Sequence, residues 1–115
     1  MVDSVDVRTM AEPSDIIDVR QHALDAVRRI VLDELHGIPA DVYLFGSRAL
    51  GCAAPASDVD VGVMPRNGLP PGLLSRIRER LEQSTVPYSV DLVDLSQTEE
   101  PFRQRVRQEG ILWTE

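Results

Sequence analysis

Two short patterns near the middle of the chain hold residue types that can bind phosphate and metal ions. An apolar run, V-Y-L-F, ends at Gly46-Ser47, and ten residues later Asp58 and Asp60 stand on either side of a valine. A strand that ends abruptly at glycine allows the backbone to approach a ligand closely, as in phosphate-binding turns. Because successive side chains of a strand point to opposite faces, Asp58 and Asp60 are predicted to share one face. Two carboxylates that point the same way favour a bound cation.

A later β-like run, Y-S-V-D-L-V-D-L over residues 88–95, contains two further acids, Asp91 and Asp94. They are three positions apart, so strand alternation points them to opposite faces and only one can join the first pair. Neighbouring strands lie about 4.8 Å apart, which allows an acid on an adjacent strand to complete a compact cluster. We select Asp91 for this position, and Asp94 is the substitute if Asp91 faces away.

Three ionised carboxylates at such short range repel one another. Either some of them stay protonated or a hard cation holds them together. Magnesium fits a ligand set made only of oxygen atoms. With the backbone amide of Gly46 and the hydroxyl of Ser47 available for phosphate oxygens, the pattern predicts metal-assisted phosphoryl or nucleotidyl transfer from a nucleoside triphosphate.

Each part of this pattern also has a simpler explanation. Gly-Ser pairs end strands in many proteins, and acids often flank edge strands, where they oppose aggregation. The conjunction is what favours a functional site: a phosphate-type turn, a short connection, two acids on one face and another acid in a later strand.

The elements that must position these residues alternate between strand and helix, which predicts an α/β or α+β domain with a three- or four-stranded sheet. A first helix is expected to begin with a cap at Ser14 or Asp15 and to end near Gly37, and a last helix to run from a cap at Thr98 to Gly110. Between them the pattern predicts strands over residues 41–45, 58–64 and 88–95, a helical turn over residues 47–50 and a helix over residues 73–84.

Length and charge narrow the classes of function. The 115 residues suffice for one domain, which we place at residues 14–115 after a flexible leader over residues 1–13. There are 19 acidic and 12 basic residues, all of the latter arginine, and the net charge of −7 argues against broad contact with a nucleic-acid backbone. The single cysteine cannot close an intrachain disulfide. No apolar run reaches the ~20 residues of a membrane span and no signal pattern is present, so we expect a soluble cytoplasmic protein.

The central motif, Gly46-Ser47 followed after ten residues by Asp58-Val59-Asp60 and later by Asp91 in V-D-L-V-D-L, resembles that of the nucleotidyltransferase superfamily that includes DNA polymerase beta. More narrowly, the chain is similar to the minimal nucleotidyltransferases (MNT), which serve as antitoxins to HEPN-domain partners. The resemblance extends from the first helix to the C-terminal F-R-Q-R-V-R-Q-E-G-I-L-W. It implies a small mixed β-sheet flanked by helices.

The resemblance also implies roles for the acids. Asp58 and Asp60 would bind two magnesium ions, and Asp91 would bind one of them and help to activate the attacking hydroxyl group. Nothing in the central motif departs from the pattern of the family, so the sequence gives no reason to expect loss of activity.

For the substrates, the resemblance implies that Gly46 and Ser47 hold the triphosphate of ATP, with Arg48 as a further phosphate contact. An acceptor hydroxyl, expected to be a tyrosine of a HEPN toxin, would attack the α-phosphate and release pyrophosphate. Two alternatives stay open: a non-catalytic antitoxin that neutralises its partner by binding, and a small-molecule nucleotidyltransferase that works as a homodimer. The base preference and the oligomeric state are open as well.

Overall fold

A computed structural model describes the backbone of residues 12–51 and 58–114 and the side chains from residue 22 onward within those ranges. Most of the predicted leader, residues 1–11, lies outside the described residues. Along the chain the elements are helix α1 (Glu12–Glu34), strand β1 (Ala40–Phe45), the helical turn α2 (Ser47–Leu50), strand β2 (Val59–Pro65), helix α3 (Leu73–Gln83), strand β3 (Val90–Asp94), a 3-10 helix (Leu95–Gln97), helix α4 (Glu100–Glu109) and strand β4 (Ile111–Leu112). None of the described helices is long and apolar enough to cross a membrane.

The strands form one four-stranded mixed sheet in the order β3-β2-β1-β4. Strand β1 runs antiparallel to both β2 and β4, whereas β2 and β3 are parallel and are joined through α3. A parallel pair needs such a crossover because a tight turn cannot return the chain to the same end of the sheet. The prediction of a small mixed sheet flanked by helices is confirmed.

One face of the sheet packs beneath α1 and α3. Along β2 every second residue, Val59, Val61 and Val63, has no exposed surface. They pack in the same apolar cluster as buried side chains of the two helices, Val27 and Val31 from α1 and Ile77 and Leu81 from α3. Because side chains alternate along a strand, Asp60 must lie on the opposite face.

The 3-10 helix and α4 lie on that opposite face. Gly62 leaves room there for Leu95, whose Cδ1 would be 3.0 Å from a Cβ added at position 62. Phe102 of α4 meets Phe45 of β1 edge to face, with the ring centroids 5.6 Å apart and the ring planes at 86°. The second layer therefore covers part of this face, while Asp58 and Asp91 remain exposed.

Two predicted helix starts were wrong. Helix α1 begins at Glu12, ahead of the predicted caps at Ser14 and Asp15, and Pro13 lies in its first turn, where the lack of an N–H group does no harm. Thr98 does not cap α4, since its hydroxyl donates to Leu95 O at 2.7 Å and closes the preceding 3-10 turn. Glu99 occupies the cap position of α4.

The C-terminal segment adds a strand that the sequence pattern did not predict. Ile111 and Leu112 pair with Leu44 and Tyr43 of β1, and the next residue, Trp113, is buried and donates its N–H to Val42 O at 2.7 Å. Trp113 thereby joins the hydrophobic core. Two residues are too few to show a strand period.

Candidate active site

Strand β1 ends in a sharp turn at Gly46. The backbone there has φ 77° and ψ −157°, a conformation open to glycine and strained for residues that carry a Cβ. The carbonyl oxygen of Gly46 accepts hydrogen bonds from the N–H groups of Ala49 (3.1 Å) and Leu50 (3.2 Å), which close the helical turn α2. This confirms the predicted strand, turn and single helical turn, and it places Ser47 as the first residue of α2.

The turn lies directly against the carboxylate of Asp60. A Cβ added at position 46 would be 2.3 Å from Asp60 Oδ2, far inside van der Waals contact. The register explains the contact, because Phe45, the residue before the turn, is the cross-strand partner of Asp60. The absence of a side chain at position 46 thus lets a strand carboxylate and a backbone turn meet.

Asp91 lies beside Asp60 on the next strand. The two are register partners in the parallel ladder of β2 and β3, so their side chains leave the same face of the sheet from strands about 4.8 Å apart. Asp91 is exposed and Asp60 is partly buried.

Asp58 stands just before β2 and is also exposed. Burial raises the pKa of Asp60 above its ordinary value, and the nearby charges of Asp91 and Asp58 raise it further. Asp58 thus acts on the site through its charge. Each of the three causes disfavours the ionised carboxylate. The acids selected from the sequence therefore share one electrostatic environment.

Asp94 is engaged elsewhere. It pairs in register with Val63, which belongs to the helix-covered face, whereas Asp91 pairs with Asp60 on the other face. Its Oδ1 accepts hydrogen bonds from the N–H (3.0 Å) and the hydroxyl (2.6 Å) of Ser96. It caps the 3-10 helix, so the substitute role that the sequence left open for it is not needed.

Within residues 22–51 and 58–114, no group of three or more His, Cys, Asp or Glu side chains has the spacing of a preformed metal site. The residue types nevertheless suit magnesium, because Asp60 and Asp91 offer carboxylate oxygens on neighbouring strands and their negative charges repel each other. Magnesium keeps several waters and is typically held by one or two carboxylates together with substrate phosphates. A closed cage of protein ligands is therefore not expected.

Arg48 contacts a residue that sequence reasoning missed. Its guanidinium carbon lies 4.1 Å from the ring centroid of Tyr88, the aromatic residue that precedes β3. The two are forty positions apart, and no local pattern signals such a contact. Tyr88 also lines a cleft of about 370 Å³ together with Arg78, Ser89 and Val90.

Phe102 is a second residue that the sequence did not single out. Its contact with Phe45 places an aromatic side chain of α4 behind the cross-strand partner of Asp60. Apolar surface beside a carboxylate removes water from it, which agrees with burial as the largest cause of the raised pKa of Asp60.

Comparison with known proteins bears on this arrangement. Residues 34–115 match the family described as polymerase beta, nucleotidyltransferase. The probable protein adenylyltransferase MntA of Haemophilus influenzae is 33% identical over 92 residues, which cover 79% of this chain and 78% of that protein.

Solved structures agree with the fold. A toxin–antitoxin structure with AMP-PNP matches with a TM-score of 0.61 at 26% identity, over 82% of this chain and 72% of that one. A tri-AMPylated HEPN toxin of Shewanella oneidensis in complex with an MNT antitoxin matches with a TM-score of 0.60 at 23% identity, over 83% and 71% of the two chains, and supports the fold alone. With most of its length matched by the family model and a third of the aligned residues shared with MntA, the chain belongs to the polymerase beta nucleotidyltransferase family.

Proposed function

We propose that this chain is an antitoxin that transfers AMP from ATP to a hydroxyl group of a HEPN-domain toxin, with magnesium bound at its carboxylates. The name of the relative MntA, a protein adenylyltransferase, supports the reaction. The similarity, at 26% identity, to a toxin–antitoxin structure with AMP-PNP supports the nucleotide and a toxin as the partner. The HEPN class of that toxin is taken from the resemblance of the central motif to the minimal nucleotidyltransferases. The observation that carries the proposal is the position of Asp60, against the Gly46 turn and beside Asp91.

In this proposal the triphosphate lies along the turn between β1 and α2. No side chain at position 46 stands between the backbone and Asp60, so a phosphate bound at the turn would lie beside a carboxylate that would hold the cation. Ser47, the next residue, supplies a hydroxyl group, and Arg48 supplies a positive charge near the same phosphates. Because the chain as a whole is negatively charged, a local positive side chain helps it to bind an anionic substrate.

Asp58 and Asp60 are the residues that would hold magnesium, with Asp91 as a ligand of one ion. Bound there, magnesium neutralises phosphate charge and stabilises the attacking and leaving oxygens of the transfer. The raised pKa of Asp60 is consistent with this assignment, because the repulsion among the carboxylates is what a cation relieves.

The transfer forms a bond between the acceptor oxygen and the α-phosphorus and breaks the bond from that phosphorus to the oxygen that bridges to the β-phosphate. Pyrophosphate leaves with the electron pair of the broken bond. Asp91 takes the proton of the acceptor hydroxyl. The strand order places Asp91 on β3 and the turn beyond β1, with Asp60 between them, so the acceptor and the leaving group can lie on opposite sides of the α-phosphate, as in-line transfer requires.

The test is transfer of label from ATP labelled at the α-phosphate to a purified HEPN-domain toxin, in the presence of magnesium. We expect label on that protein with the wild type and none with Asp60→Asn. Asp41→Asn is the matched control, since Asp41 lies on β1 at the opposite end of the sheet, where it forms a surface ion pair with Arg66 at 3.6 Å. It should label the acceptor as the wild type does.

A second measurement separates catalysis from simple occlusion. A catalytic antitoxin neutralises many toxin molecules, whereas an occluding one neutralises a single partner. Equal neutralisation by the wild type and Asp60→Asn at a one-to-one ratio, without transfer of label, would overturn the proposal in favour of an occluding antitoxin.

A further inference from the structure

The contact between Arg48 and Tyr88 joins the two sides of the candidate site. Arg48 lies in α2, two residues after the Gly46 turn, and Tyr88 lies two residues before β3, the strand that carries Asp91. Strand β2 stands between β1 and β3 in the sheet. The side chain of Arg48 therefore spans the start of β2, where Asp58 lies, to reach the ring.

Tyr88 belongs to a segment that is fixed at both ends. On one side Ser84 accepts the N–H of Val86 (3.2 Å) and donates its hydroxyl to Leu81 O (2.6 Å), which ties the segment to the end of α3. On the other side Ser89 O accepts the N–H of Val59 at 2.9 Å, which ties it to the start of β2. The ring is partly buried and packs against the hydrophobic core. It is thus a rigid surface on which another side chain can be held.

Stacking constrains the flat face of the Arg48 guanidinium. An arginine on an aromatic ring presents its flat face to the π-system, and its donors point outward in the plane of the group. A long side chain that is held in place before binding loses less conformational entropy when a ligand arrives. A stacked Arg48 can therefore meet a phosphate oxygen at a smaller entropic loss than an arginine that moves freely.

From this geometry we infer that Tyr88 is a positioning residue for nucleotide binding: its ring holds Arg48 at the phosphate turn so that the guanidinium meets the triphosphate. The inference rests on the proposed nucleotide site and adds to it a residue outside the Gly-Ser and aspartate motif. Tyr88 contacts no substrate in this role and acts through Arg48. The ring, and not the hydroxyl group, is the part that matters.

The test measures the Kd of AMP-PNP with magnesium by calorimetry on the full chain. We expect Tyr88→Leu, which keeps apolar volume but removes the ring, to weaken binding about 3- to 30-fold, the range that a cation–π contact supplies. Tyr88→Phe keeps the ring and should bind within about twofold of the wild type. In steady-state assays Tyr88→Leu should raise the KM for ATP and leave kcat nearly unchanged, since the contact is present before and during transfer.

Two comparisons separate positioning from mere packing. If Tyr88 acts through Arg48, then adding Tyr88→Leu to Arg48→Ala weakens binding no further than Arg48→Ala alone. Tyr43→Leu is the matched control, because Tyr43 is the other tyrosine of the chain and pairs on β1 with Gly62 and Leu112. It should lower the melting temperature without changing the Kd.

Wild-type affinity in Tyr88→Leu, or an equal loss of affinity with and without Arg48, would overturn the inference while leaving the proposed function in place. If Tyr88→Leu melts below the assay temperature, Tyr88→Met replaces it, since methionine fills irregular apolar space and lacks an aromatic face. A wild type that binds no AMP-PNP would overturn the nucleotide site itself. Binding of AMP-PNP without label on a HEPN protein would instead contradict only the proposed acceptor.

Discussion

Gly46 and Asp60 lie so close that a Cβ added to the glycine would be 2.3 Å from Asp60 Oδ2, in space that the carboxylate fills. The contact joins a turn with positive φ at the end of β1 to an acid in the middle of the site. A glycine at this position therefore meets two requirements at once, the backbone conformation and the close approach. The two can be separated experimentally.

Gly46→Ala should lose transferase activity by about 100-fold or more, because the added methyl must displace Asp60 and the turn by an appreciable fraction of an ångström. It should also lower the free energy of unfolding by about 1–3 kcal/mol from the backbone alone, because φ 77° with ψ −157° is a conformation essentially restricted to glycine. Transfer of label and urea unfolding measure the two effects.

Gly68→Ala is the control for the backbone term. Gly68 has φ 80°, and a Cβ there would meet nothing within 4 Å. It should lose stability because of its positive φ and keep its activity. If Gly46→Ala and Gly68→Ala behave alike in both assays, the contact with Asp60 is not important for the site.

Much of the central region could be predicted because its signals are local. A run of apolar residues that stops at glycine predicted β1, the turn and α2, and strand alternation predicted that Asp91 and Asp94 point to opposite faces. The register that sets Asp91 beside Asp60 is a tertiary relationship, and no spacing in the sequence specifies which residue of β3 meets which residue of β2. The roles of these acids in catalysis stay a prediction.

The missed features have physical reasons as well. Threonine is favoured both at the end of such a turn and at a helix cap, so the sequence alone does not tell which of the two roles Thr98 takes. The strand at Ile111 is held by two pairs with β1 and not by an alternating pattern of its own. The stack of Arg48 on Tyr88 depends on how far a long side chain reaches across a strand end, which periodicity does not encode.

The raised pKa of Asp60 predicts how stability depends on pH in the metal-free protein. Its pKa is higher in the folded state than in the unfolded state, because burial and the charges of Asp91 and Asp58 disfavour ionisation. The folded state therefore holds this proton more tightly, and the resulting stabilisation is present below the unfolded pKa of about 3.9 and is lost as the pH rises through the folded pKa. At pH 7 the ionised Asp60 destabilises the fold.

Asp60→Asn removes that charge with little change in shape. In EDTA the variant should melt at a higher temperature than the wild type at pH 7, and the difference should shrink as the pH falls toward 4. Asp41→Asn, whose carboxylate is remote from the three acids, should show no such gain. A melting temperature of Asp60→Asn equal to or below that of the wild type at pH 7 would contradict the electrostatic account.

Magnesium should reverse the order of stability. If Asp58, Asp60 and Asp91 hold the ion as proposed, then added magnesium stabilises the folded wild type by about 1.4 kcal/mol at ten times its Kd, or roughly 5 °C in melting temperature. Asp60→Asn should gain much less, because an amide is a weaker ligand for a hard cation. Equal shifts in the two proteins would place any bound magnesium elsewhere on the chain.

The contact between Phe45 and Phe102 predicts that packing on α4 affects how strongly the charge of Asp60 destabilises the fold. Phe102→Leu keeps apolar volume on α4 and removes the edge-to-face contact, so it should reduce the free energy of unfolding by about 0.5–1.5 kcal/mol. Phe45 is also the cross-strand partner of Asp60, and a looser aromatic layer admits water beside that carboxylate. The stabilisation of metal-free Asp60→Asn over wild type at pH 7 should therefore be smaller in the Phe102→Leu background. Thermal melts of the wild type, the two single variants and the double variant measure this difference.

Leu112→Ala, which trims an exposed side chain on β4, is the control that should leave this difference unchanged. An unchanged difference in the Phe102→Leu background would mean that the aromatic pair supports the fold without shielding Asp60.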